Sequence, residues 1–234
     1  KRFVERSSGV FGKSGTGKSF ITRTILAGII HARAAVNLIF DMHNDYGWEV
    51  IDEHKRRFKG LRQLFPDGRV QVITLDPDTS RHRGSKVDQE IRIGWNQIEP
   101  EDVDMLSGIL GLSEVQIGAL YFLRRRLGKD WVARLLDENE SAELKALVEE
   151  DRIQAGTLGA IQRKFELFRR FGFLTPNASD EAVDYVFNAL SRGTNIVLEF
   201  GVYGNTLAAY VLVANFLTRR IHKRYVEQKN KAAG

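Results

Sequence analysis

The sequence predicts an α/β fold, with a parallel-sheet core interrupted by an all-helical insert. Three observations predict it. A glycine-rich turn from Gly12 to Ser19 runs directly into an apolar helical stretch. Short, nearly continuous apolar runs recur at 35–40, 69–75 and 195–200. Between about 97 and 192 such runs disappear and helix starts take over. The resulting partition is a core formed by 1–96 and 193–234, with 97–192 inserted.

The elements follow in chain order. Gly9-Val10-Phe11 reads as a strand, Gly12 to Ser19 as a loop, and Phe20 to Ile30 as a helix. Ala35 to Phe40 is a near-continuous apolar run, broken only by Asn37, as expected of a parallel strand covered on both faces. It ends in Asp41-Met42-His43-Asn44-Asp45-Tyr46-Gly47. Arg69 to Leu75 is the next strand, after the turn Pro66-Asp67-Gly68, and polar Ser80 to Gln89 reads as a loop. In the insert, Pro100 suits a helix entry, and Ser113-Glu114-Val115-Gln116 has capping-box spacing. Helical stretches follow at 130–136, 142–150, 157–171 and 180–190. The sheet resumes with Asn195 to Phe200, and a helix runs from Thr206 to about Glu227.

Composition narrows the function classes. The 234 residues are 43% hydrophobic and 28% charged, which excludes a disordered, collagenous or coiled-coil chain. The absence of cysteine excludes a disulfide framework, thiolate zinc, iron–sulfur clusters and a cysteine nucleophile. Thirty-five Lys and Arg against 30 Asp and Glu leave a net charge of +5, mild enough that its placement matters more than its size. Basic residues cluster at 124–126, 163–164, 169–170 and along 219–231. They fit a nucleic-acid phosphate track, subunit contacts or a solvated helix face, and pattern alone does not choose. The opening Lys1-Arg2-Phe3-Val4-Glu5-Arg6 is charged where a secretory leader would be apolar, and the chain reads as part of a longer one. The longest uncharged stretch, Phe200 to Thr218, is broken by Gly201, Gly204, Asn205 and Thr206, so no membrane insertion is expected.

Gly12-Lys13-Ser14-Gly15-Thr16-Gly17-Lys18-Ser19 fits Gly-x-x-x-x-Gly-Lys-Ser, and each position has a physical reason. Gly12, Gly15 and Gly17 let main-chain amides wrap a phosphate, and the following helix adds its N-terminal amides and dipole. Lys18 reaches β and γ oxygens, and Ser19 places its hydroxyl on Mg²⁺, so ATP and Mg²⁺ are the expected cofactors. Just past the carboxyl end of a strand, Asp41 and Asp45 bracket His43 at the edge where open parallel sheets bind ligands. Either acid suits positioning a water, and an Asp that merely caps the next turn fits the spacing equally. The histidines have no metal-ligand spacing. Glu199 has the outward form of a Walker B acid. However, Phe200-Gly201 follows it rather than a second acid, and no segment has four apolar residues followed by paired acids.

On the phosphate loop and on Leu38-Ile39-Phe40-Asp41-Met42-His43-Asn44-Asp45-Tyr46, the chain resembles the HerA/FtsK branch of P-loop motor ATPases. That branch typically carries Asp-x-His-Gly-Glu-Tyr at the second site. Asp41, His43 and Tyr46 match, whereas Asn44 replaces Gly and Asp45 shortens Glu. The resemblance implies a RecA-like P-loop NTPase core in a hexameric ring, with ATP at subunit interfaces and Lys18, Asp41 and Asp45 in the catalytic machinery. It also implies duplex DNA in a basic pore, a nuclease partner in some relatives and a cytoplasmic location. The family's Walker B acids and arginine finger would lie outside residues 1–234. Two alternatives remain: a type IV secretion-like ATPase that moves polypeptide, and a nucleotide-gated switch without turnover.

Overall fold

The computed structural model describes residues 8–13, 15–51, 55–137 and 142–233. Their contacts divide the chain into two compact units, 1–91 with 184–205, and 92–183 with 206–234.

In the first unit, α1 (Lys18–His31) follows the glycine loop and leads to β1 (Leu38–Asp41). An antiparallel pair, β2 (Val50–Ile51) and β3 (Arg57–Phe58), precedes α2 (Leu61–Leu64), β4 (Val70–Thr74), α3 (Pro77–His82) and β5 (Gln89–Glu90). The second unit holds β6 (Ile93–Gly94), α4 (Pro100–Asp104), α5 (Ser107–Leu110), α6 (Glu114–Leu127), α7 (Trp131–Leu135), α8 (Ala142–Glu149), α9 (Ala155–Arg169) and β7 (Leu174–Thr175). The helix α10 (Glu181–Ser191) returns the chain to the first unit, where β8 (Asn195–Glu199) and a 3₁₀ turn (Gly201–Asn205) follow. The long α11 (Leu207–Ala233) belongs to the second unit.

The main sheet has the order β1-β8-β4-β5 and is parallel throughout. All five residues of β8 are buried, as befits a strand with neighbours on both sides and covered faces. Its register places Glu199 beside Asp41 on one flank and Thr74 on the other. At the opposite end, Asn195 Oδ1 accepts from the Asn37 main-chain and side-chain nitrogens, while its own amide donates to the Arg69 carbonyl. Ile30, Leu61, Phe65, Val70, Val72 and Val197 form a core cluster, with Leu26, Ala27, Ile39 and Tyr46 packed on it.

The helical unit is built around Trp131, Phe165 and Phe168. Trp131 and Phe165 meet edge-to-face at 5.5 Å, Phe165 and Phe168 at 4.9 Å, and the Trp131 indole donates to the Ile98 carbonyl at 2.9 Å. The expected capping box is present: Ser113 and Gln116 exchange hydrogen bonds of 3.1 and 3.3 Å at the start of α6. α11 touches α4 and α5, and Arg219 and Arg220 of α11 converge on the fully buried Asp102 of α4. The contacts thus group 206–234 with the helical unit, not with the sheet as the sequence partition had it.

Three other expectations change. Gly9–Phe11 takes no strand, and Val10 and Phe11 are exposed, Phe11 by 94%. Three residues with a glycine among them offer too little side chain to bury on a sheet face. Within the segment read as a loop from Ser80, α3 is already running. Asp76 caps it by accepting from the Thr79 amide at 3.1 Å, and Pro77 takes the first helical position. Finally, the helical insert carries β7, which forms a two-residue parallel ladder with β6.

Gly204, in the 3₁₀ turn after β8, sits where a Cβ would fall inside the van der Waals envelope of the Met42 carbonyl oxygen. Gly204→Ala is therefore expected to cost about 1–3 kcal/mol, because main chain rather than a flexible side chain must yield. Denaturant unfolding of the variant checks this. An unchanged midpoint would show that the two segments have room to part.

Candidate nucleotide site

The loop from Gly12 to Ser19 has the backbone that the motif demands. Gly15 and Gly17 take φ of 77° and 85°, a left-handed region that side chains strain to adopt, and among the described residues no atom beyond their chain neighbours lies within 4 Å of the place a Cβ would occupy on either. Gly17 is the residue before α1, so Lys18 and Ser19 occupy its first turn, where main-chain amides lack intrahelical partners. The Lys13 carbonyl gathers the loop by accepting from the Thr16 hydroxyl at 2.8 Å and from Lys18 Nζ at 2.6 Å. Ser14 lies outside the described residues. The remaining loop is exposed and, Lys13 apart, made of small residues, with the Lys18 ammonium turned back onto the Lys13 carbonyl, which is the donor chemistry a polyphosphate requires.

The second group forms at the carboxyl end of β1. Asp41 is fully buried and accepts from three main-chain amides: Asp45 at 2.8 Å, Tyr46 at 2.7 Å and Gly47 at 3.3 Å. Burial pushes its carboxyl above the usual range, against the pull of those three amides. With both oxygens occupied and no solvent access, Asp41 shapes the turn. Tyr46 packs on the core cluster, and His43 is exposed. Asn44 adopts φ of 56°, and its side-chain oxygen accepts from the Gly201 amide at 3.1 Å. Asp45 is half-buried, and its carboxylate has no partner among the described residues.

Several contributors escaped sequence reasoning. Arg23 of α1 donates to the Asp45 carbonyl, and Arg83, which caps the end of α3, donates to the Asn44 carbonyl. Arg23 was legible in principle. It shares a stripe with Ala27 and Ile30 at i, i+4 and i+7, so a charge stands where the period asks for an apolar residue. Glu199 is fully buried and accepts from the Ser80 and Ser85 hydroxyls at 3.1 and 3.3 Å. Those two serines arrive from a different segment, and nothing in their spacing announces it. One Glu199 oxygen also lies 2.8 Å from where a Cβ on Gly47 would be, so Gly47 is needed there. Glu199 thus belongs to the interior of the sheet edge, in keeping with the doubt about it as a Walker B acid.

Burial raises the Glu199 carboxyl above its ordinary value, opposed by nearby Arg83 and by the Ser80 hydroxyl. A raised folded-state value means that the native chain holds this proton more tightly than the unfolded chain. Stability contributed here is present at low pH and lost as pH rises above the ordinary carboxyl range. Glu199→Gln removes the charge and keeps the shape. Between about pH 5 and about pH 8 the midpoint of unfolding is expected to fall less in the variant than in the wild type. Equal slopes would place the ionisation cost elsewhere.

The comparison with known families decides what the loop belongs to. The family described as Helicase HerA, central domain, matches residues 1–221. The chain belongs to that family. No curated protein and no solved structure matches it. HerA central domains are helicase-type ATPase domains, and the parallel α/β sheet with its glycine loop is the P-loop architecture such a domain requires. Among the described residues, no helix is long and apolar enough to cross a membrane, and no group of three or more His, Asp or Glu is placed to hold a metal ion.

Proposed function

We propose that this chain is the ATP-binding core of a motor that couples ATP hydrolysis to movement on duplex DNA. The exposed glycine loop, with Lys18 folded over it at the start of α1, carries the reading, and membership of the HerA family supports it. Gly12, Lys13, Ser14, Gly15, Thr16 and Gly17 would wrap the phosphates. Lys18 would pair with the β and γ oxygens, and Ser19 would hold Mg²⁺. Bound Mg²⁺–ATP would supply the phosphoryl group for transfer to water. Asp45 is the acid free to orient that water, and Asp41 fixes the turn that presents it.

For DNA, the helical unit offers a reduced set of cations. Arg124 is held by Glu99 through two bonds of 2.7 and 2.9 Å, and Arg219 and Arg220 are held by Asp102. Arg125, Arg126, Arg163, Arg170, Lys223, Lys229 and Lys231 remain exposed and are the better candidates for phosphate contacts. A homo-oligomeric ring, hexameric as in the motor family the motifs resemble, would set these around a channel.

Steady-state ATP turnover by the full-length protein, with and without duplex DNA, tests the proposal. Turnover that needs Mg²⁺ and rises with DNA supports it. Turnover indifferent to DNA would favour a polypeptide-moving relative, and nucleotide binding without any turnover would favour a switch.

A further inference from the structure

Arg23 is a buried cation with an unusual set of partners. Only 8% of it is exposed, its guanidinium donates to the Asp45 carbonyl, and its Nε is buried with no hydrogen-bond partner among the described residues. Among the described residues no carboxylate pairs with it. Burying a guanidinium against a neutral carbonyl is costly, and an apolar side chain on the stripe with Ala27 and Ile30 would pack there without that cost. Packing alone therefore gives no reason for an arginine here.

Its placement gives one. Arg23 lies on the helix whose first turn is Lys18–Ser19, about 6 Å further along the axis at 1.5 Å per residue. Its partner is the main chain of the acid singled out above. The Asp45 N–H is fixed by Asp41, and its C=O is fixed by Arg23. Arg83 holds the preceding carbonyl, that of Asn44. Both main-chain polar groups of Asp45 are thus tied, one to the sheet and one to the phosphate-loop helix, while its carboxylate has no partner among the described residues.

We propose that Arg23 is a positioning residue that tethers Asp45 to the phosphate-loop helix, so that filling of the loop is felt at Asp45. This inference rests on the ATPase reading for its kinetic consequence but not for its structural one. The test uses the full-length protein with Arg23→Met, which keeps length and apolar contact, and Arg23→Lys, which keeps one donor. Expected for Arg23→Met is a kcat lowered about tenfold or more, with ATP affinity within about twofold of wild type and an undiminished unfolding midpoint, a shift of about 1.4 kcal/mol in the barrier alone. Arg23→Lys is expected to recover part of kcat. A merely structural arginine would move stability and affinity and leave no such split.

Hydrogen exchange supplies a readout independent of turnover. In wild type, Mg²⁺–ATP is expected to slow exchange at Asp45 and Tyr46 as well as in the loop. In Arg23→Met the loop response should persist and the Asp45–Tyr46 response should vanish. An unchanged kcat, or an Asp45–Tyr46 response that survives the substitution, overturns the tether. A wild-type protein that binds ATP without hydrolysing it overturns the ATPase reading, and the exchange comparison then decides the tether by itself.

Discussion

Lys18→Ala lowers ATP affinity by at least about 100-fold, or about 2.7 kcal/mol, and leaves the fold in place. Among the described residues the ammonium has one partner, the Lys13 carbonyl at 2.6 Å, in a half-exposed setting. Losing that bond costs the native state only about 1 kcal/mol, because water replaces the donor. In the bound state the same ammonium would face phosphate oxygens, where charge-assisted bonds are about twice as strong as neutral ones. Its removal would leave the anion with loop amides alone. Equilibrium binding of a fluorescent ATP analogue, paired with thermal unfolding of the unliganded variant, separates the two effects. Affinity within a few-fold of wild type would remove Lys18 from the site, and unfolding of the variant would assign it a structural task.

Asp102→Ala has the opposite profile: it leaves the loop untouched and destabilises the helical unit by about 3 kcal/mol or more. The Asp102 carboxylate has no solvent exposure and is shared by Arg219 at 3.0 Å, Arg220 at 3.0 Å and the Asn215 amide at 3.4 Å, while also capping the Glu99 amide at 3.0 Å. Removing it strands Arg220, whose remaining polar and ring contacts among the described residues are the Gln97 and Phe216 carbonyls and the face of the Phe216 ring at 3.6 Å. Arg219 is 42% exposed at the side chain and can turn to water, which keeps the cost toward the lower end of the 3–5 kcal/mol typical of a broken buried pair. Urea unfolding of the variant measures this. A loss below about 1 kcal/mol would show that the pairing is compensated by water.

The parts of this protein that were legible in its sequence are those governed by short-range rules. The glycine loop followed by a helix, the apolar strands at β1, β4 and β8, and the Ser113–Gln116 capping box each depend on neighbours in the chain, and each formed close to its predicted bounds. The expected strand at Gly9–Phe11 failed for a complementary reason: a strand exists only with a partner and a face to bury, and two apolar side chains do not specify either. The candidate site was half legible. Gly12 to Ser19 carry their chemistry in their spacing, whereas for Asp41 the spacing fits a water-positioning acid and a turn cap equally, and its three amide partners come only from the folded turn. The contacts of Arg23, Arg83, Ser80 and Ser85 join segments between 22 and 119 positions apart, and no local pattern carries that information. The charge count was similarly silent on which arginines are spent inside the molecule, as Arg124 and Arg220 are.

The ATPase reading stands on nucleoside triphosphate binding in the loop at the head of α1. Hydrogen exchange of the wild-type protein, read peptide by peptide with and without Mg²⁺–ATP, tests it most directly. Slowed exchange is expected, concentrated in Gly12–Ser19 and the first turn of α1. Exchange unchanged there, with or without protection elsewhere in the chain, would contradict it.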